Sequence, residues 1–190
     1  MDTNITTKPA PAKHQEFIVA VRNTPTVGYP HANGLVVIDR ARWAEDAQSQ
    51  IVIAQRNWLD NVGPWGSGGD QGYRQLLPYI VFYKETSDGL KFGLYRRTKK
   101  VGEERLGGNL SVGWGGHVEL LDIGCDPDVT TGDATSVLSL AGTIEAALNR
   151  ELHEEVEVID HQGMLHVVAT DILIADDSNS VGRVHLGLLF

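Results

Sequence analysis

Three glutamates, Glu151, Glu154 and Glu155, stand at spacings of three and four in a segment whose apolar residues recur every four. On a helix all three share one face. At ~6 Å and an effective dielectric of ~20, each pair repels by about 3 kcal/mol. A solvated face relieves much of that through screening and rotamer freedom. A bound hard cation relieves more, because carboxylate oxygens suit Mg²⁺ or Mn²⁺. Upstream, Gly113-Trp114-Gly115-Gly116-His117-Val118-Glu119 reads as a strand entering a glycine turn. Glycines there let backbone approach a ligand closely. Taken singly, these pieces are an acidic surface and a tight turn; brought together, they would form a site for a hard cation.

The elements that must position them follow from periodicity. Thr143 to Val158 predicts a helix, with Ile144, Leu148, Leu152 and Val156 along one stripe, Thr143 as N-cap and Glu145 in the first turn. Strands are predicted at Phe17–Val21, Gly34–Ile38, Leu110–Trp114, Met164–Val168 and Val184–Phe190. Tyr79–Tyr83 and Phe92–Arg96 flank Thr86-Ser87-Asp88-Gly89, a hairpin signal. From Arg42, the apolar residues Trp43, Ala47, Ile51, Ala54 and Trp58 predict a second helix. Asn61–Gly72 is a glycine-rich loop, and 120–139 is a long excursion with little periodicity. Strands, helix and strands in this order indicate an α/β (α+β) sandwich.

At 190 residues the chain suits one domain with an extension, and its net charge of -9 argues against general nucleic-acid binding, which needs a basic footprint. One cysteine, Cys125, excludes an internal disulfide framework and a multi-thiolate zinc site, which fits a cytoplasmic protein. No apolar run approaches a membrane span. Residues 1–15 read as a flexible tail and 16–72 as an N-terminal extension packed on the core. The end, Leu188-Leu189-Phe190, suits an edge strand or a shortened chain. Oligomeric state is not legible.

The glycine turn and the sequence Arg150-Glu151-Leu152-His153-Glu154-Glu155 resemble the Nudix hydrolase signature: glycine, five residues, Glu, seven residues, Arg-Glu-aliphatic-x-Glu-Glu-x-Gly-aliphatic. Gly116 matches its leading glycine, Ala147 an alanine usual in the family, and Val158 the closing aliphatic position. The family spacing puts the arginine at 130 and it stands at 150, so the box is interrupted by 20 residues, most simply 120–139. Counted back from Arg150, the first box glutamate falls on Gly142, and the late glycine falls on Glu157. Glu119 or an aspartate of the insertion is then the substitute partner for Arg150. Tyr73–Tyr79, Leu94–Arg97 and Gly102–Leu106 extend the resemblance toward a bacterial and phage branch of predicted phosphoesterases, covering 73–190.

The resemblance implies a Nudix fold, a mixed sheet flanked by helices, and hydrolysis of a nucleoside diphosphate linked to another moiety. It implies Mg²⁺ or Mn²⁺ held by Glu151, Glu154, Glu155 and the Gly116 carbonyl. It makes Arg150, Glu151 and Glu154 catalytic, with Glu151 or Glu154 activating water, unless a later loop bearing Asp176 and Asp177 supplies the base. Arg96, Arg97 and Arg105, with Lys99 and Lys100, form a basic cluster suited to substrate phosphates. Trp114 is a candidate to stack a base, although a strand aromatic is also ordinary core. The implied partner is a nucleotide-like small molecule, a capped RNA end included. The alternative is a Nudix-fold protein that binds a nucleotide without turnover.

Other motifs fail. His153-Glu154-Glu155-Val156-Glu157 lacks the second histidine of a zinc-protease helix, and Gly66–Gly72 misses dinucleotide spacing by one residue. His117, His161, His166 and His185 show no nucleophile pattern and read as structural or exposed.

Overall fold

The computed structural model describes residues 16–59, 72–96, 110–123, 139–155 and 166–190. The first strand, β1 (Phe17–Arg22), has four consecutive buried residues, so it is covered on both faces and belongs inside a sheet. It lies between β3 (Ile51–Gln55) and β4 (Tyr73–Val81), antiparallel to both, with Phe17 opposite Gln55 and Ala20 opposite Gln75.

The helix expected from Arg42 is shorter than its apolar period. Helix α1 (Arg40–Gln48) is capped by Asp39, whose side chain accepts from the Arg42 N–H, and buries Trp43 and Ala47. It stops at Ser49, because Ile51, Val52 and Ile53 are β-branched and take the open edge of β1 as β3 instead. Trp58 falls in a separate single turn, α2 (Arg56–Leu59).

Past β4, a hairpin turns where expected, with Thr86 opposite Gly89. Its strands are β5 (Tyr83–Thr86) and β6 (Gly89–Phe92), next to the turn, while residues 79–81 belong to β4 and Tyr95–Arg96 to another pair. The strand expected at Leu110–Trp114 is split. β8 (Leu110–Ser111) pairs with β7 (Tyr95–Arg96), and β9 (Gly113–Trp114) pairs with β4. Helix α3 (Leu140–Glu155) begins three residues before the expected start. Ser139 takes the capping role, accepting the Gly142 N–H at 3.2 Å, while Thr143 is buried inside the helix and its hydroxyl has no partner among the described residues. Residues 166–168 form no strand; the strand is instead β10 (Ile172–Asp176), and β11 (His185–Leu189) follows.

The main sheet runs β2-β10-β11-β4-β1-β3, with β2 (Asn33–Val37) at one edge and β9 also on β4. Among the described residues only β11 and β4 pair in parallel, His185 beside Gln75 through Leu189 beside Tyr79. Residues 17–55 therefore supply three strands to the same sheet as 73–190, so that segment is part of the layer itself and not an extension laid upon it. On one face, Leu140, Ile144 and Ala147 of α3 and Trp43 and Ala47 of α1 pack with Val19, Val21, Leu76, Leu186 and Leu188. Ile18, Ala20, Tyr73 and Leu59 of α2 pack on the opposite face. The fold is a mixed α+β sandwich. No helix among the described residues is long and apolar enough to cross a membrane.

Candidate metal and hydrolysis site

Leu140, Ile144, Ala147 and Glu151 fall at helical spacing, so the stripe that anchors α3 to the sheet carries Glu151 inward at its C-terminal end. Glu151 is only 6% exposed. What it meets there is backbone. A methyl group on Gly116 would lie 2.3 Å from Glu151 Oε1 and 2.4 Å from its Cδ, so any larger residue there must displace the Glu151 carboxylate. Next to it, Gly115 has φ +158° and presses against the Pro78 carbonyl, where a Cβ would come within 1.9 Å. The glycine bend and the helix, distant in sequence, are thus in direct contact.

Arg150 ties the two together. Its Nε and Nη2 each donate to Asp122 at 2.9 Å, a two-pronged pair; Nη2 also donates to the His117 carbonyl at 2.8 Å. Nη1 donates to Glu151 Oε1 at 2.7 Å and Glu154 Oε2 at 3.3 Å, and lies 3.7 Å from Glu119. Hydrogen bonds to Asp122 lead the causes that raise the Arg150 pKa above its ordinary value. Asp122 is 2% exposed and sits in a single 3-10 turn (Leu120–Asp122), where it also accepts the Glu119 N–H. Burial pushes the Glu119 carboxyl above its usual range, against the pull of Arg150. Four carboxylates around one guanidinium leave a net charge of -3 when all are ionised. Among the described residues no group of three or more carboxylate or imidazole side chains is disposed to hold a metal ion, and the four carboxylates all face Arg150.

The structure answers which acid faces Arg150. It is Asp122, with Glu119 behind it, and not a residue at Gly142, which lies in the first turn of α3. Counting five residues forward from Gly116 reaches Asp122 directly; counting back from Arg150 crosses the interruption and misses it. Residues 120–123 thus belong to the site, and 124–138 lie outside the described residues.

Glu154 is the exposed member of the set at 59%. Glu155 closes α3, and its carboxylate lies outside the described atoms. Arg97, Arg105, Lys99 and Lys100 also lie outside the described residues, and Arg96 is exposed on β7. Trp114 packs against Tyr95 at 4.6 Å between ring centres and takes the edge of Phe82 at 5.0 Å, so one face of its ring is already covered.

Asp176 and Asp177 serve local structure. Asp177 pairs with fully buried Arg74, which also donates to Asn23 and to the Gly182 and His185 carbonyls. Asp176 accepts from the Ser178 N–H and Asn179, and hydrogen bonds from Ser178, its side chain first and then its backbone, hold the Asp176 pKa below the ordinary value. A cavity of about 560 Å³ on the other flank of α3, walled by Trp43, Ile144, Leu148, Leu188 and Phe190, contains none of the site carboxylates.

The described fold resembles the crystal structure of Tm1382, whose own assignment as a Nudix hydrolase is provisional. The TM-score is 0.60 at 20% identity, over 92% of this chain and 74% of that one. The architecture is that of a Nudix-type fold. Protein YmaB of Bacillus subtilis (strain 168) is 32% identical over 120 residues, 63% of this chain and 49% of YmaB. The chain thus spans about half the length of this curated relative. No family model matches the chain.

Proposed function

We propose that the protein is a divalent-metal-dependent Nudix-type hydrolase that cleaves the diphosphate of a nucleoside diphosphate linked to another moiety. The observation that carries this reading is the seating of Gly116 on the Glu151 carboxylate while Arg150 holds Asp122, Glu151 and Glu154 in one cluster. Glu151, Glu154 and Glu155, with the Gly116 carbonyl, are the residues that would hold Mg²⁺ or Mn²⁺. Bound there, the ion would neutralise diphosphate charge and favour hydroxide formation from water.

The chain's own groups supply the rest. Arg150 orients Glu151 and fixes the His117 carbonyl, and thereby the bend. Glu151 or Glu154 accepts the proton of the attacking water; Glu154 is the more accessible. Arg96, Arg97 and Arg105 grip the substrate phosphates, and Trp114 offers an apolar wall to a base. A nucleotide-like small molecule, a capped RNA end included, fits the acidic overall charge better than a nucleic-acid backbone does. We place the activity in the cytoplasm on the strength of the single cysteine.

The test is a panel of dinucleoside polyphosphates, nucleoside triphosphates, ADP-ribose, NAD and capped RNA with Mg²⁺ or Mn²⁺. Turnover of one member that stops with EDTA and in Glu154→Gln supports the assignment; no turnover of any member removes it. One feature favours a second reading, a nucleotide binder without turnover. Arg150 Nη1 already contacts both Glu151 and Glu154, so a cation must compete with an internal one. Tight nucleotide binding without hydrolysis identifies that case.

A further inference from the structure

His117 and His185 come from segments 68 residues apart, and their Nε2 atoms lie 3.3 Å from each other. His185 Nδ1 lies 2.8 Å from the Val181 carbonyl oxygen. A carbonyl only accepts, so the hydrogen of neutral His185 is on Nδ1 and the Nε2 lone pair points at His117. Metal-ligating histidines are held in the same way, the outer ring nitrogen donating to a backbone carbonyl. Two imidazole nitrogens bound to one tetrahedral ion at ~2.0–2.1 Å stand roughly 3.3–3.4 Å apart. The observed spacing matches that figure, and without a metal it is also within reach of one Nε2–H···Nε2 hydrogen bond. The rings converge on these nitrogens and do not stack, with centres 5.3 Å apart and planes tilted by 52°.

The surroundings fix both side chains. Arg74, fully buried, donates to the His185 carbonyl, and Arg150 donates to the His117 carbonyl, so each backbone is clamped by a guanidinium. Leu186 and Leu188 face α3, so strand alternation sends His185 to the opposite face of the sheet. Gln75, also fully buried, is the partner of His185 across the β11–β4 ladder and leaves the sheet on that same face, adding a polar side chain to the neighbourhood.

We propose that His117 and His185 form a two-imidazole site for a borderline transition-metal ion of the zinc class. Its remaining coordination positions are left to water or to a bound ligand. Nitrogen donors separate it in chemistry from the carboxylate cluster, which suits harder ions. The proposal stands whether or not the protein is a hydrolase.

The experiment titrates Zn²⁺, and Co²⁺ as a spectroscopic substitute, into metal-free full-length protein in the presence of excess Mg²⁺. One equivalent is expected to bind, with Co²⁺ absorption bands of nitrogen ligation. Binding should weaken by more than about tenfold in His117→Gln and in His185→Gln, since losing even an outer-shell partner costs about that much. Glu154→Gln should leave it unchanged. Circular dichroism checks that the histidine variants fold, and ¹⁵N shifts of both imidazoles on Zn²⁺ addition to the wild type give a readout that needs no variant. Unchanged imidazole shifts, unaltered affinity in both folded histidine variants, or loss of the Zn²⁺ equivalent in Glu154→Gln would each overturn the proposal.

Discussion

Gly116→Ala is the sharpest perturbation of the site. The added methyl would sit 2.3 Å from Glu151 Oε1 and 2.4 Å from both Cδ and Oε2. To reach ordinary contact at 3.4 Å, the carboxyl group must retreat by about 1 Å, or the bend must. Either movement strains the 2.7 Å bond from Arg150 to Glu151. Overpacking of this kind costs about 1–3 kcal/mol of stability. On the proposed role of Glu151 as a metal ligand, a displacement of about 1 Å is far outside the roughly 0.2 Å tolerance of a metal site. A misplacement of that size costs about 10²-fold in rate, or about 2.7 kcal/mol in the barrier. The assay is kcat/KM on a substrate the wild type hydrolyses, beside Mn²⁺ affinity read by electron paramagnetic resonance. Adding Glu151→Asp, one methylene shorter, should relieve the clash and recover stability without recovering turnover. Wild-type Mn²⁺ affinity and turnover in Gly116→Ala would refute the reasoning.

Asp122→Ala leaves Arg150 without its two-pronged partner and should destabilise the fold by about 3 kcal/mol in urea unfolding, with Arg150→Met in the same chain recovering part of that. Glu154→Gln, at an exposed position, should leave the melting temperature unchanged while removing most turnover and weakening Mn²⁺ binding. Glu119 has a raised pKa in the fold, so in the absence of metal the folded state holds its proton more tightly than the unfolded state does. Stability is therefore lost as pH rises from about 4.5 through the raised value, and Glu119→Gln should be the more stable protein at neutral pH but not below pH 4.5. Arg74→Met removes the ion pair of Asp177, which among the described residues keeps only its bond from the His31 N–H, and leaves two carbonyls without their donor. It should cost about 3 kcal/mol, measured the same way.

How much of this was legible in sequence depends on how local the cause was. β1, the Thr86–Gly89 turn and most of α3 follow from alternation, turn chemistry and a four-residue period, and the structure has them. The period in Trp43, Ala47, Ile51 and Ala54 misled because β-branched residues found a strand edge that only the fold supplies. Thr143 looked like a cap, yet Ser139 lies one turn earlier, beside the long excursion, where no period marks the boundary. β10 was missed because Ile172–Asp176 is short and its pairing with β2 is distant in sequence. The contact between Gly116 and Glu151 was expected from the motif, and an insertion aspartate was expected to face Arg150, although counting back from Arg150 across the interruption does not single out Asp122. The His117–His185 pair joins segments too far apart for any spacing rule.

The most direct measurement is Mn²⁺ anomalous scattering from crystals of the protein grown with saturating Mn²⁺. The account predicts a peak between α3 and the Gly115–Gly116 bend, bonded to the Gly116 carbonyl oxygen and to Glu151 or Glu154. Saturating Mn²⁺ that leaves this place empty, or that settles only elsewhere, would contradict it.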